Sequence, residues 1–242
     1  MFSGKTLQKL NQLHQTQDNY EPKLAIADRL ASKTIVMLVG ATGEGKNTVM
    51  DAIVNLGQRF HVTGNRTSRD PRDDDEPGRY VYIPRTDRDL HRVCKAIERH
   101  KVVQYAINPY SHLLYYTTLD DYRTEFNIAD VFSSLIDNFH RLGFRNAFTI
   151  TLVSDPDVWL ERFTMRFPHN DPERQARRDE AIESLTWSLS QKHDHFWVHN
   201  IDGSPEVAAQ TIIQICQGKS HGNPSASQLA AGSLEVAQNI AI

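Results

Sequence analysis

Apolar residues in this chain fall into short runs separated by polar stretches with helical periodicity. The run Thr34-Ile35-Val36-Met37-Leu38-Val39, stopped by Gly40, has the pattern of a strand buried on both faces of a parallel sheet. After a glycine-rich loop, Val49, Ile53, Val54 and Leu56 recur at helical spacing between Thr48 and Arg59, so the unit reads strand, loop, helix. Tyr80-Val81-Tyr82-Ile83 signals a strand and residues 87–100 a helix. Val102 to Ala106 and Leu113 to Tyr116 predict short strands around a turn at Pro109, and Phe126 to Val131 predicts a third. Ser133 to Leu142 reads as a helix and Ala147 to Val153 as another central strand. Helices at 155–166 and 172–191 lead to a last strand at Phe196-Trp197-Val198, and a helix runs from Val207 to Cys216.

Strands alternating with helices predict an α/β three-layer fold with a mainly parallel sheet, and its ligands are expected at the carboxyl ends of the core strands. Residues 61–130 break the alternation with several short strands, which predicts an inserted, mostly β subdomain. Residues 1–33 read as a polar helical extension, with Leu7, Leu10, Leu13, Leu24, Ile26 and Leu30 on either side of a break at Glu21-Pro22. Residues 217–242 are rich in Ser, Gly, Asn and Ala with little aromatic content, which predicts a flexible tail. The domain proper is therefore expected over 34–216, and no internal repeat is found.

Composition narrows the class. A length of 242 residues with 39% hydrophobic and 24% charged side chains suffices for a full core without disulfides or structural metal. Cys94 and Cys216 stand in no ligand-like spacing and read as reduced thiols. The N-terminal stretch lacks the apolar segment of a signal peptide and no run approaches bilayer-spanning length, so secretion and membrane insertion are not expected and the cytoplasm is the expected compartment. A net charge of -3 offers no general attraction to nucleic acid or to anionic membrane, so anion binding must be local. Nine of the 18 arginines fall in 66–79 and 162–178, and the planar guanidinium fork suits phosphate.

Gly40-Ala41-Thr42-Gly43-Glu44-Gly45-Lys46-Asn47-Thr48 matches G-x-x-x-x-G-K between a buried strand and a helix. In that setting backbone amides and the helix N-terminus cradle phosphate while Lys46 reaches the outer phosphates of ATP. Asn47 stands where a Ser or Thr hydroxyl usually meets Mg2+, which leaves an amide oxygen, a bridging water or solvent to fill that place.

The next segment, Asn65-Arg66-Thr67-Ser68-Arg69-Asp70-Pro71-Arg72, followed by the acidic turn Asp73 to Glu76, Gly78 and Tyr80-Val81-Tyr82, resembles the guanylate kinase family. The likeness continues in order through Gln104-Tyr105-Ala106, Leu114-Tyr115-Tyr116-Thr117, Asp130, the Leu160 to Arg166 segment with Arg177, and Trp197-Val198-His199-Asn200, and so covers about residues 34–216. The resemblance implies a P-loop NTPase fold with a mostly β acceptor-binding insert at about 61–130 and a helical lid at about 162–180. It implies phosphoryl transfer from ATP, accompanied by Mg2+, to a nucleoside monophosphate, with GMP or dGMP the expected acceptor and no resident metal site. By the same resemblance the loop residues and Asn200 hold ATP. Asn65, Arg69, Arg72, Tyr80, Gln104, Tyr115, Thr117 and Asp130 bind the acceptor, and Lys46, Arg72, Arg162, Arg166 and Arg177 stabilise the transferring group.

The chain departs from the family's pattern at the base reader. A carboxylate there accepts from guanine N1-H and N2-H2, whereas Gln104 offers a neutral amide, and Asn65 replaces a hydroxyl. An ungapped count also puts Val81 at the family's phosphate-binding Tyr, so a bulge or a one-residue deletion is needed to bring Tyr80 into place. Two alternatives stay open: a P-loop kinase for another phosphorylated acceptor such as a sugar bisphosphate, and a non-catalytic guanylate-kinase-like module that binds a protein. His193-Asp194-His195 with His199 spans a helix end and a strand start and reads as a solvated edge more readily than as metal ligands. Oligomeric state is not read from the sequence.

Overall fold

A computed structural model describes residues 3–57, 59–71, 78–108, 112–191 and 195–241. The acidic run Asp73 to Glu76, the Pro109 turn, Tyr110 and His193-Asp194 lie outside the described residues.

Two helices, α1 (Gly4–Thr16) and α2 (Leu24–Leu30), precede the first strand, β1 (Thr34–Val39). Then come α3 (Lys46–Leu56), β2 (Phe60–Val62), β3 (Asn65–Thr67), β4 (Tyr80–Tyr82), α4 (Asp87–Glu98), β5 (Gln104–Ile107) and β6 (Leu114–Thr117). β7 (Phe126–Asp130), α5 (Ile136–Arg141), β8 (Asn146–Val153), α6 (Pro156–Arg166), α7 (Arg174–Ser190) and β9 (His195–His199) follow, and α8 (Pro205–Cys216) and α9 (Ala226–Asn239) complete the chain.

The fold is α/β with a mainly parallel central sheet in the order β2-β7-β1-β8-β9. The backbone fixes the strand directions. Thr34 N donates to Glu125 O at 2.7 Å where β1 and β7 begin, and Val131 N donates to Leu38 O at 3.0 Å where they end. Arg145 N reaches Lys33 O at 2.8 Å, so β8 starts beside the start of β1, and β8 and β9 are parallel from Thr149↔His195 to Val153↔His199. All six residues of β1 are buried, as the uninterrupted apolar run predicts for a strand covered on both faces.

A second sheet has the order β4-β3-β6-β5. β3 pairs antiparallel with β6 and parallel with β4, and β5 pairs antiparallel with β6. β7, expected as a strand of the insert, instead lies in the central sheet. Its Asn127, Ile128 and Ala129 are buried, which suits a strand covered on both sides and not a half-exposed hairpin.

By its contacts the chain divides into two compact units: Met1–Ile35, His61–Asn127 and Asp137–Ala147 form one, and Val36–Phe60, Ile128–Ile136 and Phe148–Ile242 the other. In the first, Leu10, Leu13 and Tyr20 join Leu90, Val93 and Ile97 of α4 and Tyr105, Ile107, Leu114 and Tyr116 of the second sheet in one core. The expected N-terminal appendage is thus a structural layer of this unit, because the leucine stripe of α1 completes a core that α4 and the sheet leave open. In the second unit α8 packs on α3, while α9 packs on α6 and α7. The expected flexible tail is corrected here: Ala226, Ala230, Ser233 and Ala237 of α9 are buried. The three alanines share a core with Trp159, Phe163, Phe167 and Leu185.

Candidate functional site

The loop between β1 and α3 is shaped by close approach. Gly40 has φ +147°, and a Cβ there would lie 2.5 Å from the carbonyl oxygen of Leu152. Gly45, with φ +79°, caps α3 in the left-handed region, and a Cβ there would lie 2.7 Å from Asn200 Nδ2. Only glycine meets both demands without strain. Trp159 Nε1 donates to Thr42 O at 2.9 Å and fastens the loop to α6. Asn200 Nδ2 donates to Glu44 O at 2.8 Å and fastens it to the end of β9. Lys46, Asn47 and Thr48 form the first turn of α3, where the N-terminal amides and the helix dipole favour an anion. Lys46 Nζ donates to Gly40 O at 2.7 Å and Ala41 O at 3.1 Å, and lies 3.9 Å from Asp130 Oδ1. Asp130, expected with the acceptor residues, therefore stands beside the loop at the end of β7.

Glu44, inside the loop, is fully buried. Its Oε2 accepts from Ser154 N at 2.6 Å and Ser154 Oγ at 2.5 Å, while Oε1 has no hydrogen-bond partner. Burial pushes its carboxyl up to about 7, against the downward pull of the two Ser154 bonds and of the Lys46 and Arg162 charges. In the unfolded chain the group titrates near its ordinary value of 4.5. Between those values the folded chain holds a proton that the unfolded chain has released, so this group's contribution to stability is full below about 4.5 and lost as pH rises through about 7. Glu44→Gln is expected to flatten that part of the profile and to raise the melting temperature at pH 8 relative to the parent chain, as thermal melts from pH 5 to pH 8 would show. An equal decline in both chains would place the pH dependence elsewhere.

Arg162, on α6, comes next to the loop. Its Nη1 lies 3.7 Å from the place a Gly45 Cβ would occupy and has no hydrogen-bond partner, while its Nη2 pairs with Asp202 Oδ1 at 2.5 Å. Arg166 lies one turn on, with its guanidinium 5.6 Å from the Phe167 ring centroid. Arg177 is bound on its own helix, to Glu173 at 2.8 Å and Glu180 at 2.8 Å. The three arginines are thus not equivalent: Arg162 flanks the loop and Arg177 is tied by two carboxylates. The histidines act separately. His195 Nε2 contacts Thr151 Oγ1 at 2.6 Å, with burial pushing its ring down to about 4, and His199 Nε2 pairs with Asp155 at 3.2 Å.

The residues expected to bind the acceptor that lie in the other unit are gathered by strand alternation. The registers Asn65↔Tyr80, Thr67↔Tyr82, Thr67↔Tyr115, Ala106↔Tyr115 and Gln104↔Thr117 put Asn65, Tyr80, Gln104, Tyr115 and Thr117 on one face of the second sheet. Arg66, Val81, Tyr105 and Tyr116 alternate to the opposite face, and Tyr105 and Tyr116 there enter the core. No bulge is present in the β3–β4 register: Val81 points away, and Tyr80 and Tyr82 flank it on the face that carries Asn65 and Gln104. The Arg69 guanidinium sits 4.3 Å from the Tyr80 ring centroid and 5.5 Å from that of Tyr82, a cation–π stack that fixes its direction. Gln104 and Thr117, expected from the sequence to bind the acceptor, are 6% and 3% exposed and so held inside the fold, and Thr117 Oγ1 is 2.9 Å from Tyr122 Oη. Arg72 lies outside the described residues.

Sequence reasoning missed Ser154, Trp159 and Asp202 as supports of the loop. It also missed Asp121, which holds Arg66 by two hydrogen bonds of 3.0 and 3.1 Å. Asp202 carried the one usable signal, an acidic residue two places after Asn200.

No family model matches the chain, and no curated protein matches it by sequence. Among solved structures, a guanylate kinase from Anaplasma phagocytophilum superposes at 11% identity and a TM-score of 0.49, over 78% of this chain and 85% of that one. Among the described residues no helix is long and apolar enough to cross a membrane.

Proposed function

We propose that this chain is a kinase that transfers the terminal phosphoryl group of MgATP to a nucleoside monophosphate, with GMP or dGMP as the acceptor. The observation that carries the reading is the Gly40 to Thr48 loop, closed on a helix N-terminus with Lys46 Nζ at its mouth and Arg162 at its flank. Phosphoryl transfer needs positioning and positive charge more than a protein nucleophile, and this constellation supplies both. Lys46 holds and neutralises the outer phosphates of ATP. Arg162, already held against Asp202, turns its unpaired Nη1 toward the transferring group. Mg2+ arrives with ATP and adds charge neutralisation; Asn47 and Asp130 are the oxygen-bearing side chains that would meet it. In the other unit Arg69, stacked on Tyr80, binds the acceptor phosphate, and Gln104 with Thr117 reads the base.

The test is ADP formation from ATP and Mg2+ with GMP, dGMP, AMP, CMP, UMP and a sugar bisphosphate offered in turn. Turnover with GMP or dGMP supports the reading, and turnover with another acceptor alone keeps the transfer and reassigns the substrate. ATP binding without turnover on any of them favours the binding-module alternative. Gln104→Glu is expected to raise selectivity for GMP over AMP about fivefold, since a charge-assisted hydrogen bond exceeds a neutral one by roughly 1 kcal/mol. Unchanged selectivity in a folded variant would put the base reader at another residue.

A further inference from the structure

Glu44 is an unusual occupant of its place. A loop that binds polyanions by amides, a helix dipole and a lysine holds, fully buried within it, a carboxyl group of the ligand's own sign. The groups facing it can be named element by element. From α3 comes Lys46, itself 3.9 Å from Asp130 of β7. From α6 comes Arg162, paired with Asp202 beyond β9. From the β8–α6 junction come both Ser154 donors, and the adjoining Asp155 is paired with His199 of β9. Among the described residues, the cations acting on Glu44 are Lys46 and Arg162. Both are the groups that the proposed function assigns to phosphate. When a polyphosphate takes them over, the carboxylate loses its compensation and gains a concentrated negative charge across the loop backbone. Ser154 satisfies Oε2 in either protonation state, and Oε1, which has no partner, is the oxygen left to carry hydrogen.

We propose that Glu44 is a proton-linked gate on this loop: seating of a nucleotide polyphosphate draws one proton from solvent onto Glu44 Oε1, so nucleotide and proton bind together. The inference deepens the kinase reading and rests on it. Its consequence is directional. The unliganded carboxyl titrates near about 7 and the liganded one higher, so nucleotide affinity weakens as pH rises through that interval. Linkage of one proton sets a limiting slope of about tenfold in Kd per pH unit.

Calorimetric titration of the full chain with ATP and Mg2+, in two buffers of different ionisation enthalpy at pH 8, counts the protons taken up. At that pH free ATP is already deprotonated. The expected result is an uptake approaching about one proton for the parent chain and a much smaller uptake for Glu44→Gln, with Kd rising between pH 7 and pH 8.5 only in the parent. Equal uptake and parallel pH slopes in the two chains would overturn the proposal while leaving ATP binding in place. ATP binding by neither chain at any pH would overturn the kinase reading itself, and the gate with it. Should Glu44→Gln not fold, Ser154→Ala serves instead: removing a donor that favours the ionised carboxyl moves the midpoint of the affinity profile to higher pH. A midpoint that stays where it was would equally overturn the gate.

Discussion

Under the proposed function, Lys46→Ala is expected to lower turnover by about a thousandfold or more and to leave the folded state in place. The size of the effect follows from where the ammonium stands. It is bound to the Gly40 and Ala41 carbonyls at the loop mouth, so its charge is fixed before a phosphate arrives and needs no reorganisation when charge shifts along the transferring bond. The side chain of Lys46 is 12% exposed; its loss leaves Asp130, 48% exposed, to be solvated, while the buried Glu44 carboxyl, with one cation fewer, takes up a proton instead of standing charged. A melting temperature within a few degrees of the parent together with collapsed steady-state turnover is therefore the expected pair of results. Near-normal turnover would remove the Gly40 to Thr48 loop from the mechanism. A melting temperature that fell with the activity would assign the lysine to scaffolding.

How far such a site is legible in the sequence depends on whether its parts are local. The phosphate loop is local: a buried strand, glycines at the two tight approaches and a lysine opening a helix are read from nine consecutive residues, and the structure brings them together at Lys46 Nζ. The acceptor face is half legible. Period-two alternation says that Tyr80 and Val81 point oppositely, but only pairing says which of them faces Arg69. The regular β3–β4 register answers with Tyr80 and Tyr82, and without a bulge. Sheet membership was not legible for β7, because a five-residue strand whose apolar side chains are Phe126, Ile128 and Ala129 does not name its neighbours. Nor was the burial of Glu44, since nothing local distinguishes a solvated loop carboxylate from one locked under Ser154, Asn200 and Arg162.

The C-terminal residues illustrate the opposite limit. Ala226, Ala230, Ser233 and Ala237 carry little hydrophobic signal, so composition reads the segment as a tail. Small side chains nevertheless let α9 approach α6 and α7 closely, and the apolar mass of the contact comes from Trp159, Phe163, Phe167 and Leu185 on the other side. Ala230 is fully buried in that contact, and Ala230→Glu would bring a carboxylate into it; Arg174, the buried cation beside this core, is already bound to the Phe167 and Ala241 carbonyls and stacked on the Phe163 ring. An uncompensated buried charge costs roughly 3–5 kcal/mol, which for a chain of this size lowers the melting temperature by about 10 °C. In a solvated tail the same substitution would move stability by no more than about 0.5 kcal/mol, so calorimetry separates the two pictures cleanly. The consequence reaches the site. α9 braces α6, whose Trp159 holds the phosphate loop and whose Arg162 flanks it, so Ala230→Glu is expected to reduce turnover at temperatures well below its own unfolding. Unchanged melting and unchanged turnover would return α9 to the status of an appendage and leave Arg162 positioned by Asp202 alone.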